Sequence, residues 1–72
     1  MIQLKVNVNS VIDKNLEIEF DIAYNENKTD GWMAFINAMP NVVDAVWDRY
    51  GSYTLITFES ESYKNWFILR WS

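Results

Sequence analysis

The sequence predicts an α+β fold, a single domain over residues 1–72 with the element order β-β-α-β-β-α. Three observations lead to this prediction. Apolar and polar residues alternate in several short segments, as is typical of strands with one buried face. Another segment carries apolar residues at helical spacing. No stretch rich in Pro, Gly or Ser marks a domain boundary.

The first two strands are predicted over residues 2–8 and 15–24. In the first strand the apolar positions are Ile2, Leu4, Val6 and Val8. In the second, NLEIEFDIAY, the apolar residues Leu16, Ile18, Phe20 and Ile22 alternate with the carboxylates of Glu17, Glu19 and Asp21. The intervening segment contains Asn, Ser and Asp, which favour chain reversal, so the two strands are expected to form an antiparallel hairpin.

A helix is predicted next, because four apolar residues follow one another at i, i+3, i+4 and i+7: Trp32, Phe35, Ile36 and Met39. Thr29 or Asp30 can cap its start by accepting a hydrogen bond from a free backbone N–H. Pro40 ends it, since the residue before a proline is disfavoured in the α conformation.

A second hairpin is predicted over residues 42–60, with its turn at Tyr50-Gly51 or Gly51-Ser52 because glycine tolerates positive φ. Its core face would carry Val43, Ala45, Trp47, Thr54, Ile56 and Phe58.

A final helix can begin at Ser60 or Ser62, with Glu61 and Arg70 placed favourably for the helix dipole. Its expected inner residues are Tyr63, Trp66, Phe67 and either Arg70 or Trp71. The segment Trp66 to Trp71 is also compatible with a strand.

From Leu16 onward this order resembles the ferredoxin-like arrangement without its last strand. The N-terminal strand would fill the vacant edge, as in a circular permutation. The resemblance implies a four-stranded antiparallel sheet of order 1-2-4-3 with both helices on one face. It is a likeness of topology, and no sequence motif carries it.

Composition limits the chemistry that this chain can perform. It has no Cys and no His, which removes disulfides, Cys-based zinc sites and the usual general base. Paired carboxylates on an exposed strand would lack the raised pKa that acid catalysis needs. The Asn-rich loop 25–31 does not have the register of a calcium loop. We therefore expect no catalytic residues, no metal and no cofactor.

The net charge is −4, which favours a partner protein with a basic surface over nucleic acid. In the predicted fold most of the acids share the open sheet face with a few apolar and aromatic residues. The predicted partner-binding residues are Glu17, Glu19, Asp21, Asp44, Val46, Asp48, Tyr53, Leu55 and Glu59. An ordinary solvated face would explain the same charges.

The expected function is that of a non-enzymatic protein-binding module that regulates or inhibits a larger partner. Small size and acidity are shared by many phage-encoded host-modulating proteins. One alternative is a structural subunit that self-associates, for example as a homodimer, through Leu69 and Trp71 at a frayed chain end; the other tryptophans are expected in the core. A further alternative is a binder of single-stranded nucleic acid that stacks bases on the tyrosines of the open sheet face, Tyr50 and Tyr53.

The N-terminal residues reach polar Gln3 and Lys5 at once and lack the apolar segment of a signal peptide. No other segment is apolar for long enough to cross a bilayer. A cytoplasmic location without membrane contact is therefore expected.

Overall fold

The computed structural model describes residues 2–72, and this part of the chain contains three strands and three helices. They are β1 (Ile2–Asn7), α1 (Val11–Asn25), α2 (Trp32–Asn37), β2 (Val42–Asp48), β3 (Tyr53–Phe58) and α3 (Glu61–Trp71). The strands form one antiparallel sheet in the order β1-β3-β2. The domain is α+β as expected, but the prediction of four strands and two helices is wrong.

The predicted second strand is the long helix α1. Its start is fixed by two hydrogen bonds: Ser10 Oγ accepts the N–H of Asp13 at 3.2 Å, and Asp13 Oδ2 accepts the N–H of Asn9 at 3.1 Å. Such caps satisfy N–H groups that a helix leaves unpaired at its first turn. The residues between Ser10 and Asn25 include neither Gly nor Pro, so the helix continues for 15 residues.

The alternation of apolar and acidic residues in 15–24 does not identify a strand by itself, because residues four apart also lie on one face of a helix. Leu16 is fully buried and Phe20 is half-buried, and they are four residues apart. Ile18 and Ile22, which the strand prediction placed in the core, point the other way and are 59% and 51% exposed. The same sequence thus satisfies two periods, and tertiary packing selects the helix.

Loss of that strand changes the topology of the sheet. β1 pairs directly with β3, with Ile2 opposite Phe58 and Asn7 opposite Tyr53. β3 therefore lies in the centre, and its residues are the most buried of the three strands. The predicted order 1-2-4-3 and the resemblance to a permuted ferredoxin-like arrangement are wrong. The element that follows β1 is a helix and not the second strand of a hairpin.

The hairpin of β2 and β3 is confirmed, with Ala45 opposite Ile56 and Trp47 opposite Thr54 on the covered face. A register shift lies between Val42 and Asp44, and it removes Val43 from the predicted core face. Val43 lies at this irregularity and is 53% exposed, because an extra residue in one strand interrupts the alternation.

The hairpin turn spans four residues, and its positive φ of 54° belongs to Ser52 rather than Gly51. Gly51 is required for a different reason. A Cβ at this position would lie 2.2 Å from Cε2 of Tyr53. Glycine is therefore needed so that the Tyr53 ring can fold back over the turn.

Helix α2 confirms the predicted stripe, since Ile36 is buried and the three other stripe residues pack against the core. Its cap differs from the prediction: Gly31 is the N-cap residue and no side chain bonds to the first turn. Thr29 instead donates its hydroxyl hydrogen to the carbonyl of Gly31 at 3.2 Å. The helix ends before Pro40, as expected.

Helix α3 begins where predicted, because Ser60 Oγ accepts the N–H of Tyr63. Phe67 and Trp71 are its buried residues, whereas Trp66 is 54% exposed and its predicted place in the core is wrong. Trp71 is only 8% exposed, and its carbonyl accepts a hydrogen bond from Asn15 Nδ2 at 2.7 Å. The expectation of a frayed end that exposes Trp71 is therefore wrong, while Leu69 is exposed as expected.

The core lies between the sheet and the three helices, all of which contribute to it. Its buried apolar residues are Val6, Leu16, Ile36, Ala45, Ile56, Phe58, Phe67 and Trp71. The three strands supply their inward residues to this one cluster, so the opposite face of the sheet is open, as predicted. The helices leave a groove at one end of this layer.

Candidate functional site

A groove of about 630 Å³ lies between the start of α1, the start of α2 and the end of β2. Two tryptophans and three carboxylates line it together with smaller apolar side chains. These five residues are Asp13, Glu17, Asp30, Trp32 and Trp47. The volume lies within the range typical of ligand sites, and aromatic walls with a few charged groups are typical of them as well.

Trp32 is held in place on several sides. Its Nε1–H donates to Oγ1 of the buried Thr54 at 3.1 Å. Phe20 packs edge-on against the indole with ring centroids 5.4 Å apart, and the Phe35 centroid lies 6.1 Å away. A hydrogen bond and two aromatic contacts fix the ring before any ligand arrives, which lowers the entropy cost of binding.

Trp47 reaches the groove from the end of β2, where it is the second-last residue of the strand. It lies directly opposite Thr54 in the β2–β3 ladder, so both indoles are arranged around the same threonine. Trp47 is 42% exposed although it is on the covered face of the sheet. An exposed indole beside a cavity is available to a ligand, whereas a tryptophan of the core is not.

The carboxylates differ in their setting. Asp13 is only 4% exposed and one of its oxygens holds the start of α1. Glu17 lies one helical turn further, on the same side of α1, and is exposed. Asp30 comes from the loop before α2. The fold thus brings together acids that are far apart in sequence.

The charged side chains among the described residues that line the groove are all acidic. In residues 2–72 its lining contains no Lys or Arg, and the salt bridges of this part of the chain join Lys28 to Glu26 and Lys64 to Glu61. Within the same residues no cluster of three acids is arranged to hold a metal ion. The chemistry that fits such a groove is an organic cation, which the carboxylates attract and the indole faces bind.

The residues predicted to form one acidic sheet face are divided by the structure. Glu17, Glu19 and Asp21 lie on α1 and not on the sheet, so the predicted face of six acids does not exist. Glu17 lines the groove, and Glu19 lines a smaller depression near Arg70 and Trp71. Asp21 is exposed on the helix, and Glu59 is exposed just beyond β3.

Five other predicted residues do share the open sheet face. Val46 lies opposite Leu55 and Asp48 opposite Tyr53, while Asp44 pairs with Thr57. Lys5 lies on the other side of Leu55. This face therefore carries two acids and one base, far from the acidity that was predicted. A partner-binding role for these residues stays a prediction.

Two charged side chains of the open face, Asp48 and Lys5, interact with neighbours in the same chain. Hydrogen bonds from the Gly51 N–H, the Tyr53 hydroxyl and the Tyr50 N–H lower the pKa of Asp48, and Lys5 adds to this effect. The bond to Asp48 and the charge of its carboxylate raise the pKa of Tyr53. The Lys5 ammonium lies 4.5 Å from the centroid of the Tyr53 ring. These contacts occupy Tyr53, one of the two tyrosines on which a base would have to stack.

Sequence analysis missed the groove because it placed Trp32 and Trp47 in the core and residues 15–24 in a strand. One signal could have pointed to it. Ser10 and Asp13 have the spacing of a helix cap, and a helix starting there places Asp13 and Glu17 on one face. The approach of Asp30 and Trp47 to this face depends on contacts distant in sequence, which no local pattern contains.

Comparison with known proteins adds no assignment, since no family model, no curated protein and no solved structure matches this chain. Across residues 2–72, none of the helices combines the length and the apolar character needed to cross a bilayer. The functional argument therefore depends on the geometry of the groove.

Proposed function

We propose that this chain is a non-enzymatic protein-binding module that regulates or inhibits a larger partner with a basic surface. The observation that carries the proposal is the groove. Its lining contains three carboxylates and two indoles, and no basic residue among the residues that the structure describes. Acidic groups around an aromatic surface favour association with a basic protein and speed the encounter.

The proposal moves the binding surface from the open sheet face to the groove. On the open face the charges of Asp48 and Lys5 already interact with Tyr53. In the groove Glu17 and Asp30 are exposed, and they share its lining with the partly exposed Trp47. A partner that brings a positive charge to this place gains an interaction that the free protein lacks.

Charge reversal at Glu17 tests the proposal, with Glu59→Lys as a matched control. Both residues are exposed glutamates, but only Glu17 lines the groove. Wild-type protein and Glu59→Lys are expected to capture the same basic protein from a native lysate, and Glu17→Lys to lose at least about tenfold in affinity for it, which corresponds to about 1.4 kcal/mol. Equal capture by all three proteins, or no capture above background, would overturn the proposal.

A second candidate function is structural self-association, and an exposed apolar stripe on α1 favours it. Val11, Ile18 and Ile22 are 64%, 59% and 51% exposed, and their spacing places them on one side of the helix. Leu69 on α3 is 79% exposed. Sedimentation over a concentration series separates the two functions: a stable oligomer that Ile18→Glu dissociates supports self-association, and a monomer at all concentrations excludes it.

A further inference from the structure

The groove is specific enough in its chemistry to indicate which basic group it receives. Four features decide this: a rigid indole, a second indole that is partly exposed, a buried carboxylate and two exposed ones. An anion would be repelled, and a neutral apolar group would leave the carboxylates without a partner. The occupant must therefore combine positive charge with a surface that can lie against an aromatic ring.

Arginine meets these requirements better than lysine. Its guanidinium group is planar and weakly hydrated, so it stacks on indole rings, and its N–H groups donate in pairs to carboxylates. The ammonium group of lysine is compact and strongly hydrated, and it loses more hydration when it enters a partly enclosed groove. Stacking and paired hydrogen bonds are available together only to the guanidinium group.

The position of the acids supports the same choice. Asp13 lies deep in the groove, 4% exposed, where charges are screened less than at the surface. Glu17 lies one turn along the same helix, and Asp30 belongs to a different segment. A guanidinium group in the groove can therefore pair with acids from two segments of the chain while it lies against an indole of the same lining. The volume of about 630 Å³ leaves room for this side chain and the adjoining peptide backbone.

We propose that the groove binds an arginine side chain presented by the partner protein, stacked against Trp47 and paired with Glu17 and Asp30. This inference depends on the proposed function, since it names the group by which a basic partner is recognised. It goes further, because a groove that attracts any positive charge would satisfy the proposed function without selecting arginine.

The test uses three capped tripeptides, Gly-X-Gly, in which X is arginine, citrulline or lysine. Citrulline has nearly the shape of arginine but no charge. Binding is followed by NMR through the indole N–H signals of the four tryptophans, which are assigned with Trp→Phe variants. Trp66 is the internal control, because it is exposed but does not line the groove.

Saturable shifts of the Trp32 and Trp47 signals are expected with the arginine peptide, together with an unchanged Trp66 signal. Affinity for the citrulline and lysine peptides should be lower, by about tenfold for citrulline, because charge–ring attraction and ion pairing are lost. The double variant Glu17→Gln with Asp30→Asn should weaken arginine binding to a similar extent. It leaves Asp13 in place, so the cap of α1 is kept.

Equal binding of the arginine and citrulline peptides, equal binding of arginine and lysine, or no shift with any peptide would each overturn the arginine proposal. None of these results decides the proposed function, which depends on the loss of protein capture by Glu17→Lys. Conversely, loss of capture together with equal arginine and lysine binding would retain a general basic partner and reject the specific group.

Discussion

The groove and the open face of the sheet contain the same kinds of side chain, aromatic rings and carboxylates, but they use them differently. On the open face Asp48 accepts hydrogen bonds from the N–H groups of Tyr50 and Gly51, and Lys5 lies over the Tyr53 ring. In the groove Trp32 is held by Thr54, Phe20 and Phe35, and the exposed acids meet no base among the described lining residues. Composition alone does not mark a binding site. The groove differs because carboxylates without a basic neighbour share the lining of one cavity with two indoles.

The largest expected effect that separates the two regions is on stability, through Trp32. Trp32→Ala removes ring contacts with Phe20 and Phe35 and leaves Thr54 without its donor. We expect the free energy of unfolding to fall by about 2–3 kcal/mol, somewhat below the loss for a fully buried Trp. Urea denaturation measures it.

Tyr50→Ala is the matched control for this change at the edge of the open face. Tyr50 is 90% exposed, so its removal should alter the free energy of unfolding by no more than about 0.5 kcal/mol. Equal losses in the two variants would show that the groove is no better supported than the open face.

A smaller effect is expected at Gly51, where the position of the Tyr53 ring on the open face requires a residue without a side chain. Gly51→Ala forces the Tyr53 ring away, since the new Cβ would lie 2.2 Å from it. We expect a loss of about 1 kcal/mol in the free energy of unfolding and a change in the NMR signals of Lys5, which contacts that ring. A Cβ at Gly31, in the groove, meets nothing within 4 Å, so Gly31→Ala should cost much less. A larger loss at Gly31 than at Gly51 would contradict this account.

The smallest expected effect is the pH dependence of Asp48. Its pKa in the folded protein is lowered, first by the N–H of Gly51 and then by the Tyr53 hydroxyl. The ionised carboxylate therefore stabilises the fold above the unfolded pKa, and this contribution is lost as the pH falls through the folded value. Asp48→Asn should be less stable than the wild type at neutral pH, and the difference should disappear once the pH falls below the lowered pKa of Asp48.

Denaturation over a pH series measures this difference, and Glu17→Gln provides the contrast. Removing the charge of Glu17 relieves repulsion with Asp13 on the same side of α1 and should not destabilise the protein. A loss of stability at neutral pH in Glu17→Gln equal to that in Asp48→Asn would mean that both acids are engaged within the chain. The distinction between the two regions would then fail.

The sequence by itself determined the elements whose local signals agree. β1 and the β2–β3 hairpin follow from alternation, α2 from its apolar stripe and Pro40, and the start of α3 from Ser60. It also determined that one face of the sheet is open. In each case a few neighbouring residues contain the whole physical cause.

Tertiary structure alone decided the rest. Residues 15–24 fit both a strand and a helix, and burial of Leu16 and Phe20 decides for the helix. That choice moved three acids off the sheet and placed β1 beside β3. The groove exists only because segments distant in sequence, which carry Asp13, Asp30 and Trp47, line the same space. Local periodicity describes one segment at a time, whereas a binding site is made by contacts between segments.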